Sequence, residues 1–130
     1  MSESVFGTHL MLDLAECDPA RLADLNAVFR LLDVLPDLLG MTKVTPPYAF
    51  RYSGKVPEDK GITGFVIIAE SHVSIHTFQE KAFAFVDVFS CKPFDCDKAQ
   101  VFITESLGSQ RVSKSAASRG QGFPRFGNAS

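Results

Sequence analysis

Residues 69–80 read Ala-Glu-Ser-His-Val-Ser-Ile-His-Thr-Phe-Gln-Glu, placing two carboxylates, three hydroxyls and two histidines in one short stretch. Apolar runs flank it, residues 62–68 upstream and 82–89 downstream. Polar groups beside a core must each find a partner, so a reactive segment held between two strands points to chemistry. Ser71 supplies it. Its hydroxyl, with a histidine nearby to move protons, can attack the preceding peptide bond, Glu70–Ser71. The amide becomes an ester, elimination leaves a dehydroalanine, and hydrolysis leaves a pyruvoyl group at the new amino terminus. Such a ketone forms a Schiff base with an amine and draws off electrons as a carboxylate departs. The same residues also fit an inert serine that bonds its own backbone at a strand end. His72, Ser74 and His76 share one strand face. Two histidines at that spacing can share an ion, but no convincing third ligand follows, and no metal site is expected.

The neighbouring elements must hold this stretch. Residues 8–14 alternate, with Leu10, Leu12 and Leu14 on one face, as in a half-buried strand. Asp18-Pro19 reads as a helix start, a capping residue followed by proline at the first position. Leu22, Leu25, Val28, Phe29, Leu32 and Leu35 continue it as one apolar stripe to Pro36, with Gly40 closing the segment. Residues 41–44 suit a short strand, and Pro46-Pro47 mark 45–50 as irregular or edge-like. Glycine, proline and charged residues make 53–61 a solvated loop whose tip could reach the active site or merely sit in solvent, the second being the expectation. Residues 73–77 and 82–90 read as antiparallel neighbours across a tight connection at 79–81. A helix follows over 95–107, ending at Gly108, then a weak strand over 110–118 and a glycine-rich tail over 119–130. The order implies α+β architecture: a two-layer sandwich, an antiparallel sheet with helices on one face.

A chain of 130 residues supports a single domain, 1–130. The formal charge of −2 and the lack of a basic run argue against nucleic acid or an anionic membrane surface as partner. No apolar run is long enough to span a bilayer, and the first residues do not resemble a signal peptide. Three cysteines fit free thiols in a reducing compartment. A cytoplasmic location is the expectation.

The run Glu70-Ser71-His72-Val73-Ser74-Ile75-His76-Thr77-x-x-Glu80 resembles the self-cleavage motif of the prokaryotic S-adenosylmethionine decarboxylases. Gly7-Thr8-His9-Leu10, then Asp13-Leu14 and Glu16-Cys17-Asp18, are similar to that family's amino-terminal signature. Val86-Asp87-Val88-Phe89-Ser90-Cys91 resembles a further segment at the expected distance. The resemblance implies cleavage into a β chain, 1–70, and an α chain, 71–130, with Ser71 becoming the pyruvoyl cofactor. It implies that His76 and Thr63 assist processing, Thr63 standing where the family usually has serine. It implies Cys91 as proton donor after decarboxylation, Glu80 toward the ribose, and Phe78 and Phe50 against the adenine. It also implies a homodimer with active sites near the interface. His9 is expected to hydrogen-bond in the core. The family usually reads Trp-Pro-Glu where Phe78-Gln79-Glu80 stands, and the 53–61 loop is longer here.

The leading expectation is therefore decarboxylation of the small molecule S-adenosylmethionine, making the aminopropyl donor for polyamine (spermidine) synthesis. A pyruvoyl-dependent decarboxylase of arginine or ornithine is the alternative from the altered Phe78-Gln79 pair. An unprocessed homologue that only binds a ligand or partner is the third.

Overall fold

The computed structural model describes residues 5–124. Seven antiparallel strands form one sheet: β1 (Gly7–Ala15), β2 (Thr42–Lys43), β3 (Tyr48–Tyr52), β4 (Gly61–Ala69), β5 (Ser71–Phe78), β6 (Phe83–Ser90) and β7 (Arg111–Arg119). Their order is β2-β4-β5-β6-β1-β7, with β3 also pairing with β4. Pro46 and Pro47 divide what is in effect one edge strand, because proline cannot donate to a ladder. The stretch expected to be irregular is thus a strand from Tyr48 onward, its tyrosines and Phe50 alternating onto one face.

Three helices pack on the sheet: α1 (Pro19–Leu22), α2 (Leu25–Leu38) and α3 (Cys96–Leu107). The single helix expected after Asp18 is two. Asp18 caps Ala20 N at 3.0 Å, and Asp24 then caps Asn26 N and Ala27 N at 3.0 and 3.2 Å, restarting the chain as a new helix. Pro36 lies inside the last turn of α2, and the Met41 N–H returns to the Pro36 carbonyl at 2.8 Å past Gly40, whose φ is +73°.

Strand alternation decides what each face carries. Leu10, Leu12, Leu14, Ile62, Val66, Ile68, Val73, Ile75, Val86 and Val88 face the helices and are buried, joined to Leu31, Leu32, Leu35, Ile103 and Leu107 in one cluster. Each fully buried aliphatic side chain contributes roughly 1.5–3 kcal/mol. Among the described residues no helix covers the opposite face. Tyr48, Phe50, Tyr52, Phe65, Ile67 and Phe85 lie on it, each 36–55% exposed. These six residues give the sheet an apolar face that is exposed in the single chain.

Candidate active site

The β4–β5 turn is tight. Ile68 pairs with Ser71, leaving Ala69 and Glu70 as the connection, and Ser71 in turn faces Ser90 on β6. Cys91, just beyond β6, thereby meets Glu70. The Cys91 N–H donates to the Glu70 carbonyl at 3.3 Å, and the Glu70 N–H donates to Cys91 Sγ at 3.3 Å. Ser71 has φ +134°, a backbone region that side chains other than glycine's rarely occupy and that concentrates at functional sites. Its hydroxyl lies 3.5 Å from His72 Nδ1. Burial first, then the nearby His9 and Arg119, hold His72 below the ordinary histidine range, with Asp87 opposing. Gly7 explains the amino-terminal signature: a Cβ there would stand 1.8 Å from the Ser90 carbonyl oxygen and 2.8 Å from Cys91 Cα. Only glycine lets β1 run this close to the turn that carries the cysteine.

A second centre lies at the other end of β5. Thr63 pairs with His76 across β4 and β5, and Thr63 Oγ1 sits 3.2 Å from His76 Nδ1. A cavity of about 370 Å³ opens beside them, lined by Phe50, Tyr52, Asp59, Thr63, His76 and Phe78. Phe50 and Phe78 thus line one cavity. Glu80 stands off the lining and pairs with Lys60 at 3.1 Å, while Lys81 holds Asp59 at 2.6 Å, an ion pair that keeps the lysine charged to higher pH. The 53–61 loop therefore does more than sit in solvent, because its end supplies Asp59 to the cavity. Sequence reading missed Tyr52 and Asp59. Tyr52 had a signal, two positions from Phe50 in an alternating strand; Asp59 had none, since its placement depends on the Lys81 ion pair. Thr77, also at the cavity wall, is structural: its Oγ1 accepts from Ile62 N at 2.9 Å and donates to the Leu22 carbonyl at 2.8 Å.

The two centres are separate within one chain. Ser71 and His76 stand at opposite ends of β5, roughly 16 Å apart at the rise of a strand, and odd and even positions face opposite sides. The fold brings Ser71 to Cys91 and Thr63 to His76, but not one pair to the other. His9 is also not a core residue. It lies half-buried on the helix-free face, 3.4 Å from Arg119 Nη1 and 3.7 Å from Asp87 Oδ1, because its parity in β1 is opposite to that of Leu10.

The family model for S-adenosylmethionine decarboxylase matches residues 8–120. The chain belongs to that family. It is 35% identical over 115 residues to the S-adenosylmethionine decarboxylase proenzyme of Pyrococcus furiosus, covering 88% of this chain and 78% of that protein. Against the proenzyme of Pseudomonas paraeruginosa it is 35% identical over 125 residues, 95% of this chain and 74% of the other. The crystal structure of the adenosylmethionine decarboxylase from Aquifex aeolicus superimposes with a TM-score of 0.75 at 30% identity, covering 90% of this chain and 92% of that one. The match to the decarboxylase family takes in both centres, from His9 on β1 to Arg119 at the end of β7.

Proposed function

We propose that the protein is a self-processing decarboxylase of S-adenosylmethionine whose reactive carbonyl is made from Ser71. One observation carries this reading: the carbonyl of Glu70, the one Ser71 must attack, already accepts the Cys91 N–H at 3.3 Å. Acyl transfer depends on a donor fixed at the oxygen that gains negative charge. Ser71 Oγ bonds to the Glu70 carbonyl carbon, and the C–N bond breaks, moving the acyl group from nitrogen to oxygen. A base then takes the Ser71 α-proton, the Cβ–O bond breaks, and Glu70 leaves as a carboxylate. Water replaces the nitrogen, which departs as ammonia. The products are residues 1–70 and a pyruvoyl-headed chain 71–130. The residues present fit such a group, since the turn leaves the Ser71 end of β5 beside a thiol and a low-pKa histidine.

A ketone at the Ser71 position would supply an electron sink for decarboxylation of an amine-bearing substrate. Cys91 is the thiol placed to return a proton, its Sγ being held beside Glu70. Phe50, Phe78 and Tyr52 offer aromatic faces for the adenine, with Glu80 at the rim for the ribose hydroxyls.

Thr63 and His76 lie too far from Ser71 to serve it in their own chain. We infer that a second copy brings them. A two-fold pairing of the helix-free faces sets residue i of one chain against residue j of the other and the reverse. The Ser71 end of one β5 then meets the His76 end of its partner, and the exposed aromatics are covered. The product is the aminopropyl donor of polyamine synthesis.

The test is the intact mass of the purified protein under denaturing conditions, followed by carbon dioxide release from S-adenosylmethionine, arginine and ornithine. Two chains split before Ser71, the second lighter by ammonia than a serine-headed chain, and release from S-adenosylmethionine are expected. A persistent 130-residue chain, or release only from arginine or ornithine, overturns the reading.

A further inference from the structure

The processing chemistry leaves a cluster beside Ser71 unused. His72 on β5, Phe89 on β6 and His9 on β1 form one row across the helix-free face. Arg119, the last residue of β7, reaches over this row. Its guanidinium carbon lies 4.2 Å from the Phe89 ring centre, and its Nη1 lies 3.4 Å from His9 Nδ1. The His72 and Phe89 rings meet edge to face at 5.9 Å, and His72 Nδ1 is 3.5 Å from Ser71 Oγ. The guanidinium is thus two side chains from the reactive serine, and it belongs to the same chain.

Its charge is unanswered. Among the described residues no carboxylate forms an ion pair with Arg119. The nearest acid of the cluster, Asp87, faces His9 instead, at 3.7 Å. His9 Nε2 is buried without a hydrogen-bond partner. Beyond its contact with His9 Nδ1, the guanidinium resting on Phe89 keeps further N–H donors with no carboxylate to take them. A planar carboxylate fits that fork in two-point fashion.

The substrate supplies one. The amine that must reach the Ser71 carbonyl and the carboxylate that must leave are attached to the same carbon. We infer that Arg119, assisted by His9, is the receptor for the α-carboxylate of the substrate's amino-acid end. This rests on the reading of Ser71 given above. It divides recognition between the chains of a dimer: the nucleoside lies in one chain's Phe50–Phe78 cavity, the amino-acid end at the other chain's Arg119. The ion pair exists in the bound substrate and is lost as carbon dioxide forms. Arg119 therefore aids binding and contributes nothing to the step that breaks the bond.

The experiment compares wild type with Arg119→Ala and Arg119→Gln, the latter keeping a polar stem over Phe89. Each is first checked for cleavage by intact mass and for dimer by sedimentation. KM for S-adenosylmethionine and inhibition by decarboxylated S-adenosylmethionine, which lacks the carboxylate, are then measured. The expected result is cleaved, dimeric variants whose KM rises about tenfold or more, the size of a lost charged hydrogen-bond pair. Their kcat does not fall, and inhibition by the decarboxylated compound changes less than about twofold, because that contact was never made. An unchanged KM, or equal weakening of both compounds, overturns the inference. So does loss of cleavage, which would place Arg119 in processing, or loss of the dimer, which would give it a partner carboxylate instead. A wild-type chain that stays uncut sinks the parent reading as well, and is told apart by that control.

Discussion

Two variants that are each inert are expected to rescue one another. Ser71→Ala removes the attacking hydroxyl, and His76→Ala removes the proposed base. The base must come within about 3 Å of the proton it takes. Five positions along β5 separate Ser71 from His76, roughly 16 Å of strand, and the residues alternate onto opposite faces. No rotation of His76 closes that gap within a chain. In a mixed dimer the His76→Ala chain keeps its own Ser71 and receives the His76 of the Ser71→Ala chain, so one of the two sites is whole. Random pairing of equal amounts makes half of the dimers mixed, so about half of the His76→Ala chains should be cut and none of the Ser71→Ala chains. The assay is co-expression with distinguishable tags, then denaturing mass spectrometry of each chain. If both variants fold and dimerise but the mixture stays uncut, the two-chain site is wrong. Cleavage of His76→Ala by itself would equally refute it, by showing that His76 is dispensable.

Three other outcomes follow from the geometry. Thr77→Val keeps the shape of a side chain only 3% exposed but leaves the Ile62 N–H and the Leu22 carbonyl unpaired; at about 1–3 kcal/mol for each buried orphan, thermal denaturation should show a loss of roughly 2–6 kcal/mol, and a shift below about 2 °C would contradict it. Gly7→Ala should cost about 1–3 kcal/mol as β1 is pushed off the Ser90–Cys91 turn, and should slow cleavage more than it slows folding; wild-type cleavage in a time course would show that the close approach is not needed. His72 has its pKa lowered from 6.5 by burial, His9 and Arg119 against Asp87, so the unfolded chain binds more protons there than the folded one. Its contribution is therefore full above about pH 6.5 and is lost on acidification; His72→Gln should flatten the fall of stability between neutral and acid pH in urea titrations, and an unchanged slope would exclude the histidine as its source.

Much of the fold is legible because it follows from local periodicity. Leu10, Leu12 and Leu14 alternate, and their strand pairs over Thr8–Leu14 with β6 and along its full length with β7. Asp95 and Gly108 bracket α3, the first capping Lys98 N at 3.0 Å and the second at φ +64°. What stayed hidden was set by competition between neighbours. Asp24 reads as one polar residue on a helix, yet its carboxylate caps two N–H groups and divides the helix there. Tyr48, Phe50 and Tyr52 alternate as a strand should, but two prolines just upstream obscured the signal. The end of the glycine-rich tail, 125–130, lies outside the described residues.

The site was legible residue by residue and not as an arrangement. Ser71, Cys91, Thr63 and His76 carry chemistry in their types, and a linear motif naturally groups them as one machine. Register undoes that grouping. Ser71 faces Ser90 at one end of the sheet, and His76 faces Phe85 near the other, so neighbours in sequence are opposite poles in space. A strand can hold two halves of a site only if something else brings the halves together. The face carrying His76 is also the one left without a helix and lined with aromatic side chains. A single chain keeps Ser71 and His76 apart and leaves its apolar helix-free face exposed. The pairing of helix-free faces proposed above would meet both needs at once, bringing the Ser71 end of one β5 to the His76 end of the other and covering Phe65 and Phe85. On this reading the short chain makes a full catalytic centre because it is used twice, and β5 is the element that makes the duplication work.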